Sequence, residues 1–350
     1  MHPLRRRDRR HFLRMGAGLG AAAVLPSVRA LAADARPGAL TMGLLRNPVS
    51  GLIAVTDQKG WFKQAGVELE SILFAGAGGP KVIQAMGGGS IALGSVSVTA
   101  ALLALAGNAV PLRIISISTD PAPVFALLSA PEIDSMQKLA GKRVATTAGT
   151  GLHYFLVRAL AKYGMKPSDV EFVNLPVGDA QAAFLAQRVD AVVPSLTGRY
   201  YIRNLRKDTR ELFVHDDFTR PPGTTARFDD YDVFIAPAGV VDSAKPALRA
   251  FLAAYHGKGV PYLRNPATQG EAIAAVTRYV NAEQKSPTDE QAMREQLVRS
   301  GFFDLAEARR IMTSPAFRAG LDDQVRFLSE SRQATARIAL DDVIVTDLLG

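Results

Sequence analysis

One pattern governs this sequence. Short apolar runs alternate with amphipathic stretches, and a loop of small polar residues joins many of the runs to the stretch that follows. The loops read "RNPVSG", "AGAGGP", "GSVSV", "TAGTG", "PVGD" and "PSLTG". Apolar runs bounded by turn residues predict strands, and apolar residues recurring three and four positions apart predict helices. Strands separated by helices need right-handed crossovers, so the expected class is α/β with mostly parallel sheets. In such sheets a ligand sits beyond the carboxyl ends of the strands, against helix N-termini, and these loops occupy that place.

The strand candidates are "ALTMGLLR", "VELESILFA", "SIALGS", "PLRIISIS", "GKRVATT", "VEFVNLP", "VDAVVPS" and "YDVFIAP". Between them lie helical stretches such as "SGLIAVTDQKGWFKQAG", "VSVTAALLALAG", "GLHYFLVRALAKYG" and "GDAQAAFLAQR", the last with Asp179 as expected N-cap. Four further helices follow residue 244. A chain of 350 residues is long enough for two lobes of roughly 100–200 residues each.

The formal charge of +8 invites a nucleic-acid reading, but it is concentrated at one end. The first 32 residues hold seven arginines and one acid, and the remainder carries 34 basic against 32 acidic residues. A nearly neutral body exerts no long-range pull on a polyanion, so nucleic acid is excluded as a partner. The same end has a basic stretch, the apolar run "MGAGLGAAAVLP" and "ALA" at 30–32. That is the layout of an export signal with its cleavage pattern, and "RRHFLR" resembles the twin-arginine form. Residues 1–32 are therefore expected to be a signal peptide and the mature protein periplasmic. The chain has no cysteine, which removes disulfides, thiolate metal sites and cysteine nucleophiles.

Candidate ligand-binding residues cluster in the loops. In the first half they are Arg46 and Asn47 after the first strand, Gly76, Ala77, Gly78 and Gly79 in the glycine loop, and Ser95 and Ser97 at a strand-to-helix junction. In the second half they are Thr147, Gly149, Thr150, Gly151 and His153 around "TAGTG", then Ser195, with Asp232 before the last strand. Exposed N–H groups of a glycine loop and a helix head suit an anion, and a cleft arginine would pair with one. Each also has a plainer reading: Thr150, Ser95 or Ser97 as a helix cap, Arg46 as a solvated charge, and His153 as a residue serving only its own helix. Thr197 and Arg199 are weaker candidates beside Ser195. His215 and His256 show no metal spacing.

"GTGLHY" supplies two glycines of a dinucleotide fingerprint, with Tyr154 in place of the third and Glu171 twenty positions beyond Gly151. An exported NAD(P)-dependent oxidoreductase with its dinucleotide at Gly149–Gly151 is the alternative. No G-x-S-x-G elbow, H-E-x-x-H or P-loop is present.

Four segments carry a resemblance to a known family. They are "GLIAVTDQKGWFKQAGVELE", "FAGAGGPKVIQAMGGGSIALG", "LAGKRVATTAGTGLHYFLVRALAKYGMKPSDVEFVNLPVGDAQAAFLAQRVDA" and "VVDSAKPALRAFLAAYHGKGVPYLRNP". Together they resemble the periplasmic substrate-binding proteins of ABC importers, in the nitrate, taurine and aliphatic sulfonate group that also holds binders of thiamine-pyrimidine precursors. The resemblance implies a two-lobed type II periplasmic binding protein fold, with lobe one at 40–125 and 235–350 and lobe two at 126–234. It implies a monomer without cofactor or catalysis that closes on a small polar or anionic solute and delivers it to a membrane permease. Enzymes sharing the fold depend on cysteine, which this chain lacks. One departure stands out: sulfonate and taurine binders usually carry tryptophans after the acidic residue matched by Asp190, and "VVPSLTG" has none.

Overall fold

In the computed structural model of this chain the described residues are 38–74, 78–218, 228, 230–282, 287–330 and 338–350. The expected signal segment, and Gly76 and Ala77 of the first glycine loop, lie outside them. The first sheet begins with β1 (Ala39–Leu44), β2 (Glu68–Leu73), β3 (Leu93–Ser97) and β4 (Leu112–Thr119). Its connections carry α1 (Pro48–Gln58), α2 (Trp61–Gln64), α3 (Gly79–Gly87) and α4 (Val98–Ala106). The second sheet holds β5 (Ala126–Ser129), β6 (Arg143–Thr146), β7 (Glu171–Asn174), β8 (Ala191–Val192) and β9 (Arg210–Val214). With it come α5 (Gly151–Lys162), α6 (Val177–Leu185) and α7 (Leu196–Leu205). The chain then returns to the first sheet as β10 (Asp232–Pro237). It ends in helices α8 (Ala238–Ser243), α9 (Lys245–Ala254), α10 (Val260–Arg264), α11 (Gln269–Asn281), α12 (Glu290–Arg299), α13 (Leu305–Met312), α14 (Pro315–Glu330) and α15 (Leu340–Val343).

The strand orders are β2-β1-β3-β10-β4 and β7-β6-β8-β5-β9. Pairs linked by helices, β1 with β2 and β3 and β6 with β7 and β8, are parallel, as expected. The fourth strand of each sheet departs from that expectation. β10 and β5 each run antiparallel to both neighbours. Each is the strand that arrives from the other sheet, so no helical crossover fixes its direction. β10 is central, and Val233, Phe234, Ile235 and Ala236 are fully buried.

Local chemistry sets the helix ends. Asn47 caps α1, its Oδ1 accepting from Ser50 N at 2.9 Å, with Pro48 at the first helical position. The expected single helix from Ser50 to Gly66 is broken in two at Gly60, whose φ of +73° a side chain would resist. Asp179 does not cap α6, which starts two residues earlier at Val177. Its carboxylate lies instead in the first turn, where the helix dipole still favours it.

Each sheet has its own apolar interior. In the second half, Phe125, Phe155, Phe213, Phe218 and Phe228 form one aromatic group, with Phe155 meeting Phe228 edge-on at 5.3 Å. The C-terminal helix α14 packs on both halves. From it, Phe327 meets the Tyr154 ring at 5.0 Å, and Asp323 pairs with Arg158 of α5 at 2.7 Å. The Tyr154 hydroxyl donates to the same carboxylate at 3.2 Å.

Candidate functional site

A helix leaves its first N–H groups without backbone partners, so what satisfies them at each helix head decides where a ligand can dock. The heads here fall into two kinds. Side chains of the preceding residue cap α1, α4 and α7: Asn47, Ser97 and Ser195 accept from Ser50 N, Ala100 N and Gly198 N. No side-chain cap serves α3 or α5. Thr150 stands at the cap position of α5 with extended backbone, but its hydroxyl donates to Thr147 O at 2.7 Å. The Thr147 hydroxyl is likewise spent, donating to Leu175 O at 2.8 Å. The α5 amides are thus left to something other than these threonines.

The two glycine loops meet the same helix. A Cβ on Gly79 would lie 3.2 Å from Val96 and 3.5 Å from Ala100, at the start of α4. A Cβ on Gly149 would lie 2.7 Å from Leu103, and its φ of +70° independently requires glycine. Ala100 and Leu103 are three residues apart and share a face of α4. The loop heading α5 therefore packs on a helix of the other sheet.

Asp230 lies between the heads of α4 and α5. It sits at the second passage between sheets and is fully buried. Its Oδ1 accepts from Thr99 N at 3.3 Å and Thr99 Oγ1 at 3.0 Å, in the first turn of α4. Its Oδ2 is pressed against Gly151, where any Cβ would come within 1.5 Å of it. Burial pushes this carboxyl well above the usual range, and the negative charge of Asp232 adds to the shift. Asp232 pairs in register with Ser97 and Thr119; burial and then the nearby Asp120 push it up to about 7. Thr99 also lies 2.9 Å from the Gln324 amide of α14. A hydroxyl has one proton to give, and Thr99 has two acceptors within its reach, Asp230 Oδ1 and Gln324 Oε1.

The sequence candidates divide accordingly. Gly79, Ser97, Gly149, Gly151 and Asp232 lie about α4 and the head of α5, with Thr150 at the cap position of that head, whereas Gly78 stands at the cap position of α3. Arg46 does not turn toward them: its guanidinium lies over the Tyr279 ring, 5.0 Å from the centroid, and donates to Tyr279 O at 2.9 Å. Asn47 is spent as a cap. Ser95 bonds Ser118 between strands at 2.9 Å. Ser195, besides capping α7, accepts from Gln181 Nε2 at 2.8 Å. Arg199 grips Glu211 with two bonds of 2.7 and 2.8 Å. Half-buried His153 stacks on Phe172 at 4.8 Å, and burial lowers its pKa. Buried Tyr154 holds the third-glycine place of the dinucleotide pattern and packs on Phe228 and Phe327. Among the described residues no group of His, Cys, Asp or Glu is placed to hold a metal ion.

Sequence reasoning missed Asp230 and Thr99. They lie 131 positions apart, and the available signal was only an acidic pair, Asp229–Asp230, ahead of a strand already noted for Asp232.

Comparison with known proteins agrees with this architecture. The chain is 29% identical over 169 residues to an Escherichia coli (strain K12) protein named for binding aliphatic sulfonates, covering 47% of this chain and 51% of that one. It is 26% identical over 192 residues to the taurine-binding periplasmic protein of the same organism, covering 54% and 56%. The chain thus spans about half the length of these curated relatives. The solved alkanesulfonate-binding protein SsuA of Xanthomonas axonopodis pv. citri, bound to MOPS, superposes with a TM-score of 0.71 at 18% identity, covering 89% of this chain and 99% of that one. The fold is that of the periplasmic binding proteins. Residues 47–268, well over half the sequence, match a family described as NMT1/THI5 like, and the chain belongs to that family.

Proposed function

We propose that this protein is the exported solute-binding component of an ABC importer, capturing a small polar or anionic organic solute without transforming it. The observation that carries this reading is the uncapped head of α5, held against α4 of the other sheet. A solute bound there gains donors from both halves only when they close, so its binding energy drives closure. The strands of the first sheet, with the helices after β10, would make one lobe and β5 to β9 the other, the chain crossing ahead of β5 and again ahead of β10. Gly78, Gly79, Gly149, Thr150, Gly151 and His153 line the cleft, with Asp232 at its base. The α14 contacts to Tyr154 and Arg158 tie the two halves together. Residues 1–32 direct export by the twin-arginine route, and the mature monomer hands its cargo to an inner-membrane permease.

The relatives named for sulfonates and taurine support the solute class. Calorimetric titration against alkanesulfonates, taurine, nitrate, aromatic carboxylates and pyrimidines tests it. Saturable binding of at least one class, with the solute recovered intact, is expected. Folded protein silent across the panel would contradict the reading.

A further inference from the structure

Helix α12 is fixed to the first half of the molecule and lies against the second. At its start, Thr288 N donates to Asn281 Oδ1 at 2.9 Å and Thr288 O accepts from Asn281 Nδ2 at 2.6 Å, which ties it to α11. Just beyond its end, Gly301 exchanges two backbone bonds of 2.7 and 2.9 Å with Asp120, the residue after β4. Met293 and Leu297 of α12 join the apolar interior of the first sheet. Its other side touches α7 of the second half. There Arg299 stands 3.7 Å from Asp216. Burial, and then the charge of Glu295, raises the Tyr200 phenol of α7. With about 100° of turn per residue, Gln296 falls on the stripe between Met293 and Leu297 on one side and Glu295 and Arg299 on the other. Gln296 is completely buried, and neither its Nε2 nor its Oε1 has a hydrogen-bond partner among the described residues. Buried polar groups in folded proteins are bonded in the great majority of cases. An amide with both atoms unmet costs the arrangement that buries it the desolvation of the whole group. If α12 and α7 part, water returns to this side chain and the cost disappears.

We infer that Gln296 is a positioning residue: its unmet amide at the seam of α12 and α7 disfavours the arrangement in which the two halves meet, and so weakens solute capture from outside the cleft. The effect on capture rests on the solute-binding reading, which places the solute where the head of α5 lies against α4, in this same arrangement. A solute whose binding arrangement is only partly populated binds more weakly by that fraction. An unbranched apolar side chain of similar length at 296 fills the same space and asks for no partner. Exchanging an unmet buried polar group for an apolar one of like shape is neutral or stabilising, so the substitution shifts the balance toward the joined halves.

Gln296→Met tests this, with Gln296→Leu as a second apolar variant should the first not fold. The chain has no cysteine, so spin labels can be placed at Leu205→Cys on α7 and Val298→Cys on α12, residues 60% and 61% exposed. Pulsed electron resonance reads the separation of the two helices without solute, and calorimetric titration with taurine, ethanesulfonate and nitrate reads affinity. Thermal melts show which variants are folded. The apolar variant should raise the population at the shorter separation and bind whichever probe the wild type binds at least fivefold more tightly. A folded apolar variant with the wild-type distance distribution, or with unchanged or weaker affinity, would overturn the inference while leaving the binding function standing. A shift to the shorter separation in protein that binds no probe, wild type included, would overturn the solute-binding reading and leave the balance at the seam standing.

Discussion

The two halves of the molecule share one strand plan and use it for different chemistry. Each has three parallel strands and a fourth that enters from the other side and runs antiparallel. The first half buries polar groups where two such elements meet. His256, fully buried, bonds Ser116 at 2.9 Å and Phe303 O at 2.7 Å, and Ser97 and Asp230 both serve the head of α4. The second half has an aromatic interior and leaves the head of α5 without a side-chain cap. The difference is local to two facing helix heads: α4 has a side-chain cap and α5, packed against it, has none.

Histidine chemistry should separate the halves most sharply. Burial lowers the His256 pKa to about 4, so between that value and the ordinary 6.5 only the unfolded chain takes up the proton. Stability should then fall as pH drops through this window, by about 3 kcal/mol from this one group. Asp232 acts in the opposite sense, because its raised value near 7 means that the folded chain holds the proton and stability falls as pH rises from about 4 toward 7. Urea titrations of wild type and His256→Gln at several pH values isolate the histidine. The variant should lose the acid-side decline, and an unchanged pH profile would show that His256 is not the cause.

Next in size is Gly151→Ala. Its methyl group would collide with Asp230, costing about 1–3 kcal/mol and abolishing measurable solute binding. Combining it with Asp230→Ala should recover most of the lost stability, because the two sites are coupled through that contact. Additive losses in the double-mutant cycle would mean that Asp230 and Gly151 do not meet as described.

The smallest effects compare the two heads directly. Ser97→Ala removes a working cap from α4 and should cost about 1 kcal/mol. Thr150→Ala removes a hydroxyl that does not cap α5, and should change stability by less than about 0.5 kcal/mol. Equal losses, read from chemical denaturation midpoints, would erase the distinction between the heads.

Much of this architecture could be read from the chain, and the failures have specific causes. β1 and β4 are long apolar runs with clear turn residues at their ends, and they lie where the sequence puts them. β5 escaped notice because "ALLS" is four residues between Pro123 and Pro131, and β9 because "RELFV" is short and follows a run of charges. The glycine loops stood out because glycine is demanded locally, as the φ of Gly149 shows. Individual partners were hidden, since they depend on distant segments. Arg46 follows a strand, as a cleft residue would, yet Tyr279 claims it from 233 positions away. Thr150 has the residue type and backbone of a cap but gives its hydroxyl to Thr147. Asp230 acquires its place only when the chain has crossed between the sheets twice.

The central claim is that a guest binds at the head of α5, against α4, and leaves unchanged. Amide chemical-shift mapping of the isotopically labelled mature chain, titrated with the tightest-binding solute from the calorimetric panel, tests it most directly. The account predicts the largest shifts at Gly149, Gly151, Leu152, His153 and Thr99, with the solute recovered intact. Shifts gathered instead around Arg46 and Tyr279, or conversion of the solute to another compound, would contradict it.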